Sequence, residues 1–213
     1  TIEQDTTFQY RATGTAFPKN MDITSYKITD TFDEADEYNG TYFVETGKEI
    51  QFKKGTALYE RYKKTGGKMP AHTDITKYTT QEINRSNDRI TKVDLTFDND
   101  FIESIDFENS EFHVDTFFKA KRALNKQGVK NVFKEIINGL EFDSTEVTSN
   151  TSENIRDSFE KRLKEITDRI TKDKENQAKK DKEQDEQIAN NALSIRKLTQ
   201  RVDKVEEVQQ THS

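Results

Sequence analysis

Between Thr151 and Ser213 the chain has no glycine and no proline, and all of its 14 Phe and 7 Tyr except Phe159 lie at or before Phe142. A chain so divided cannot share one core. The first part owns nearly all the bulky side chains. The second has no residue that breaks a helix and little with which to build a core. Hydrophobic residues make up 31% of the whole and charged residues 35%, well below the apolar share of an ordinary compact domain. The expected organisation is a domain over 1–149 followed by a charged helical stalk or coiled coil over 150–213.

Up to about Val147 the pattern is that of strands. Thr7-Phe8-Gln9-Tyr10-Arg11-Ala12, Tyr26-Lys27-Ile28-Thr29, Tyr42-Phe43-Val44-Glu45, Ile90 to Phe97 and Phe112 to Phe117 alternate apolar and polar residues. That period sends one set of side chains inward and the other outward. Turn signals at Phe17-Pro18-Lys19-Asn20, Tyr38-Asn39-Gly40, Thr46-Gly47-Lys48 and Asn138-Gly139 separate the runs. Many short strands joined by turns imply a mostly β fold, an immunoglobulin-like β-sandwich. A short helix is expected over Asp98–Ile105, capped by Asp98, with Phe101, Ile102 and Ile105 on its apolar face.

Beyond Asn150, Ile155, Phe159, Leu163, Ile166 and Ile170 form one helical stripe, and Ile188, Ala192, Ile195, Leu198, Val202 and Val205 form another. In the second stripe, Ile195, Leu198, Val202 and Val205 fall at a, d, a and d of a heptad. The step from Ile170 to Ile188 is not a multiple of seven, so a stutter or a straightened segment is expected between them. Asp173–Gln187 is almost free of apolar residues. Three readings remain open for the helix: a lone solvated helix held by charge pairs, a self-associating coiled coil, and a helix packed on a neighbouring domain. A helix over Ser152–Gln210 would span ~90 Å.

The net charge of −6 argues against a general nucleic-acid binder, which needs a basic face to displace counterions. Lys53, Lys54, Arg61, Lys63, Lys64 and Lys68 interleave with Tyr59 and Tyr62 in the segment Lys53–Pro70. That segment reads either as a solvated surface insertion or as a contact for an anionic polymer such as DNA, teichoic acid or an anionic glycan. Asp30, Asp33, Glu34, Asp36 and Glu37 form an acidic cluster; it reads as a solvated loop or as a candidate structural calcium site, without EF-hand spacing. His72, His113 and His212 lack metal-ligand spacing, and no catalytic or cofactor motif stands out. The absence of cysteine excludes disulfides and thiolate metal sites. No apolar run is long enough to cross a bilayer, so no membrane insertion is expected. A start at Thr1 without a signal peptide reads as an excised or processed piece.

Several stretches, in order, resemble the C-terminal domains of streptococcal antigen I/II adhesins and the related enterococcal aggregation substances. They are Phe8–Arg11 through Pro18, Ile28–Asp33 followed by Asp36–Tyr42, Thr73–Thr79, Phe97–Ile102, and Lys121-Arg122, Asn131 and Asn138-Gly139. The resemblance covers about Thr1 to Val147; the insertion and the charged helix have no counterpart in it. It implies a non-catalytic, cell-wall-anchored surface protein with immunoglobulin-like domains, extracellular, whose host or bacterial surface ligand is bound through other domains of the parent. It also implies a self-formed Lys–Asn isopeptide bond catalysed by a buried acid. Asp30 sits where that acid is expected. Thr145 replaces the Asn of the last strand, and the first strand with its Lys would precede Thr1. The bond is therefore not expected here. The leading expectation is an adhesin stalk module. The alternative is a phage baseplate or fibre protein, which would form an obligate trimer through the helix. An enzyme finds no support beyond scattered carboxylates.

Overall fold

The computed structural model describes residues 1–212 and divides into two compact units, Thr1–Ile155 and Arg156–Ser213. In chain order the first unit holds β1 (Ile2–Glu3), β2 (Thr7–Thr13), β3 (Tyr26–Thr31), β4 (Asp36–Thr46), β5 (Ile50–Gln51), α1 (Ala57–Arg61) and β6 (Lys68–Met69). Then follow β7 (Thr79–Ser86), β8 (Arg89–Phe97), α2 (Asn99–Ser104), β9 (Val114–Arg122), β10 (Val129–Ile137), β11 (Leu140–Ser149) and β12 (Thr151–Ser152). The helix α3 runs from Ile155 to His212.

Two antiparallel sheets form an immunoglobulin-like sandwich. One has the order β11-β10-β3-β8-β7 and the other β2-β9-β4. Alternation supplies the core between them. Tyr26, Ile28 and Asp30 of β3 point inward, as do Val114, Thr116, Phe118, Ala120 and Arg122 of β9. Aromatic rings meet in the middle: Phe32 stacks on Tyr38 at 4.9 Å, and Phe118 lies edge-on to both. The first unit runs to Ile155, beyond the boundary expected at 149, and takes in β12, which forms a separate two-stranded sheet with β1. These two strands pair in parallel, Ile2 opposite Thr151 and Glu3 opposite Ser152.

Three expectations change. Tyr38-Asn39-Gly40 is not a turn but a bulge within β4, where the register against β9 shifts between Tyr38 and Tyr42. Gly40 takes a φ of +93° there, a conformation that costs glycine little. Asp98 precedes α2 without capping it; its carboxylate accepts from Thr80 Oγ1 at 3.3 Å instead. Phe101, Ile102 and Ile105 are buried as expected. The segment Lys53–Pro70 is not wholly a solvated insertion, since Phe52, Leu58 and Met69 at its base and within it join the core.

The hairpin β10–β11 turns at Asn138-Gly139, with φ of +51° and +79°, the pair of left-handed residues that a tight hairpin requires. Within its sheet β11 pairs with β10 alone, and Leu140, Phe142 and Val147 are exposed on it.

Along α3 nearly every described side chain is exposed, including Phe159, Leu163, Ile170, Ile195 and Leu198. Local bonds support it: Arg156 with Glu160 at 3.3 Å, and Gln177 with Asp181 at 2.9 Å. No helix among the described residues is long and apolar enough to cross a membrane. Local stability follows buried contacts. Backbone amides over Asp173–Gln187 should therefore exchange fastest within α3 after the frayed ends, as read by hydrogen–deuterium exchange. Even protection from Arg156 to Gln209 would contradict this.

Candidate functional site

Residues of β2, β4, β9 and the chain's last β segment converge on one buried cation. Arg122 ends β9 on the inward face, and both it and Asp36 are fully buried. Its Nε donates to Asp36 Oδ1 at 2.7 Å. Nη1 donates to Thr151 Oγ1 at 2.8 Å and to the Asn150 carbonyl at 3.4 Å. Nη2 donates to Ser149 Oγ at 2.7 Å and to Tyr10 Oη at 3.4 Å, while the Tyr10 hydroxyl donates to Asp36. Burial, then the neighbouring Asp36 carboxylate, hold the Tyr10 phenol well above its usual range. The planar fork of an arginine suits such divided donation; a lysine could not make it.

The same corner ties the chain's beginning to its end. Ile2 N donates to the Asn150 carbonyl at 2.8 Å and Gln4 N to that of Ser152 at 2.9 Å. Asp5 N donates to the Arg122 carbonyl at 2.7 Å, and Arg122 N to that of Thr6 at 3.1 Å. Asn154 Nδ2 donates to the Gln4 carbonyl at 2.8 Å.

Asp30 lies in the same core, fully buried, with neither carboxylate oxygen at hydrogen-bonding geometry to a partner. Burial pushes its pKa well above the usual carboxylate range; the Asn131 amide and Thr31 backbone pull the other way, and the Asp36 charge adds to the rise. Asn131, also buried, is on the neighbouring strand, whose Phe133 pairs with Asp30. The acid thus has a buried amide beside it at a position the sequence reading did not assign. Thr145 sits on exposed β11, opposite Phe133. Among the described residues no lysine is buried, so the acid and the amide have no buried amine to join. The intact mass should equal the sequence mass. A deficit of ~17 Da with a Lys–Asn crosslinked peptide would overturn this, since amide formation releases ammonia.

The acidic cluster is spread rather than gathered. Asp36 serves Arg122, and Asp30 is enclosed in the core. Asp33 and Glu34 meet Lys126 at 2.9 and 3.3 Å. Desolvation opposes ionisation of Asp33, but the Lys126 ammonium and two backbone N–H groups hold its pKa below the usual value. No group of three or more metal-ligating side chains comes together among the described residues. The histidines stand apart: His72 faces Glu45 at 3.5 Å and His113 faces Asp115 at 3.3 Å, and the side chain of His212 lies outside the described residues.

The basic segment is folded as α1 and a following turn, with all six cations at the surface. Acids stand among them. Lys63 is 3.7 Å from Glu60, Lys68 is 4.0 Å from Glu49, and Arg61 donates to Tyr78 Oη at 3.2 Å. Lys53 and Lys54 border a shallow hollow with Asp22, Asp106 and Glu108. So mixed a surface should bind lipoteichoic acid or DNA weakly at low ionic strength and lose it at physiological salt, because each contact releases a counterion. Binding that survives salt, or that persists in Lys63→Glu/Lys64→Glu, would point elsewhere.

Comparison places the β unit among surface proteins. A family model described as cell surface antigen C-terminus matches residues 1–152. The C-terminal domain of the Streptococcus pyogenes antigen I/II-family protein AspA aligns with a TM-score of 0.59 at 27% identity, over 71% of this chain and 41% of that one. The C-terminal domain of the Streptococcus agalactiae AgI/II polypeptide BspA aligns with a TM-score of 0.56 at 24% identity, over 71% of this chain and 43% of that one. The chain therefore spans less than half the length of either structure. No curated protein matches it significantly.

Proposed function

The chain belongs to the cell surface antigen C-terminus family, and from that footing we propose that it is a non-catalytic spacer module of a cell-wall-anchored surface adhesin. Ligand recognition in this reading belongs to other domains of the parent, and the sandwich and helix hold those domains away from the wall. The observation that supports it is the parallel pairing of β1 with β12. Tension drawn through the two ends of the β unit pulls Ile2 backward and Ser152 forward along parallel strands. The hydrogen bonds between them are then sheared together rather than peeled one at a time. Arg122 strengthens the join, because its guanidinium ties Ser149 and Thr151 to Asp36 on β4. Such shear loading suits a module that bears tension between its ends.

The test is single-molecule extension of the chain held at Thr1 and at the end of α3. The helix should stretch first, at low force, and the sandwich should open later, in one rupture at higher force. Opening of the sandwich before or together with the helix would sink the proposal.

A further inference from the structure

An apolar stripe near the end of α3 is exposed among the described residues. Ile188, Ile195, Leu198, Val202 and Val205 are each more than half exposed. We propose that a second copy of this chain covers it, as a parallel, in-register, two-stranded coiled coil over about residues 187–206. The proposal does not depend on the adhesin role.

Three features of the helix select that partner. The first is residue shape. The a positions are Ile188, Ile195 and Val202, and the d positions are Asn191, Leu198 and Val205. In the middle of the seam, Ile195 and Val202 at a flank Leu198 at d, the combination of branched a and leucine d that favours two strands over three or four. The second is Asn191, a polar residue in the seam. In a parallel, in-register pair it meets its own copy and the two amides bond. In an antiparallel pair that matches the Ile195 layer to Leu198, Asn191 lies against Val202. A heptad slip in one direction sets it against Leu198. Either arrangement buries an amide without a partner, which costs on the order of 1–3 kcal/mol. The third feature is charge. A g residue of one helix approaches the e residue five positions later on its neighbour. The g positions are Gln187, Ser194 and Arg201, and the corresponding e positions are Ala192, Thr199 and Glu206. Arg201 thus faces Glu206 of the second copy, twice by symmetry, and no like charges meet.

The seam is short. Upstream, Asp173–Gln187 has Ala178 as its one apolar residue, so the paired zone ends near Gln187. About three heptads give a reversible dimer whose population rises with concentration.

The test uses the full chain, which has no cysteine of its own. With Leu198→Cys, mild oxidation should give a covalent dimer, because in-register d positions bring the two Cβ atoms within disulfide reach. With Ala189→Cys, on the outer face, it should give almost none. Sedimentation equilibrium should show monomer and dimer, with Arg201→Glu raising the dissociation constant roughly tenfold and Arg201→Glu/Glu206→Arg restoring it. A monomer at every concentration, a trimer, or equal crosslinking from the two cysteine positions would each overturn the proposal. A trimer would instead favour a fibre-like assembly.

Discussion

Arg122→Met should unfold the sandwich more readily by about 3–5 kcal/mol, the usual loss when one partner of a buried ion pair is removed. Arg122 and Asp36 are both fully buried, 2.7 Å apart. Methionine fills much of the space but leaves the Asp36 carboxylate with the Tyr10 hydroxyl as its remaining close donor. For a unit of this size the loss lowers Tm by on the order of 10 °C. Urea unfolding followed by tyrosine signals reads it directly, since the chain has no tryptophan. Arg122→Lys should cost less but still fail to restore the wild type. A lysine keeps the charge and loses the fork that reaches Asp36, Ser149 and Thr151 together. Hydrogen exchange supplies a second reading. The amides of Ile2 and Gln4 donate to the Asn150 and Ser152 carbonyls, and they should lose protection ahead of the central strands. Adding Asp36→Leu to Arg122→Met should recover much of the stability, because an apolar pair of similar volume often replaces a buried ion pair without loss. If the double variant is as weak as the single one, the contribution of Arg122 lies in its bonds to Ser149 and Thr151 rather than in its pairing with Asp36.

That residue also marks the limit of what could be read in advance. The sandwich was legible where one face of a strand is core and the other is water, as in β2. It was not legible in β11, whose side chains are nearly all exposed, so no alternation exists to be seen. In β10 the inward positions are Val129, Asn131, Phe133, Glu135 and Ile137, and two polar residues break the apolar pattern. Glu135 is buried because it accepts from Thr15 N and Oγ1 and from the Tyr26 hydroxyl, all more than a hundred positions away. Arg122 gains its partners in the same manner, from Asp36 and from residues 149–151. One signal was present: Val114, Thr116, Phe118, Ala120 and Arg122 share the two-residue period of β9, which directs the arginine inward. The basic segment was legible as charge but not as structure, because Leu58 and Met69, which anchor it, are spaced too widely to show a period. The resemblance of ordered motifs to antigen I/II domains carried further than any single element, and the family match bears it out.

Asp30→Asn should stabilise the sandwich at neutral pH, by on the order of 1–3 kcal/mol, the scale of a buried polar group left without its partner. In the unfolded chain an aspartate has a pKa of about 3.9. In the fold, burial raises that of Asp30 well above this value. Below about pH 3.9 both states carry the proton, and Asp30 then sits in the core as a neutral acid. As pH rises, the unfolded chain releases the proton first, so unfolding becomes favoured and stability falls. The loss grows until the pH reaches the raised pKa of the folded state and is constant above it. Asn131, Asp36 and Tyr38 surround the carboxyl, and all three are unchanged in the variant. The difference between variant and wild type therefore isolates Asp30 from every other titrating group. It should be small at about pH 3.5 and grow as the pH rises above about 3.9, the range in which the unfolded chain ionises before the folded one, as read by urea midpoints at each pH. A difference that does not change with pH would mean that water reaches the carboxyl. A variant less stable than wild type at pH 7 would mean that the Asp30 carboxyl has a partner in solution that an asparagine amide cannot satisfy, and the prediction would fail.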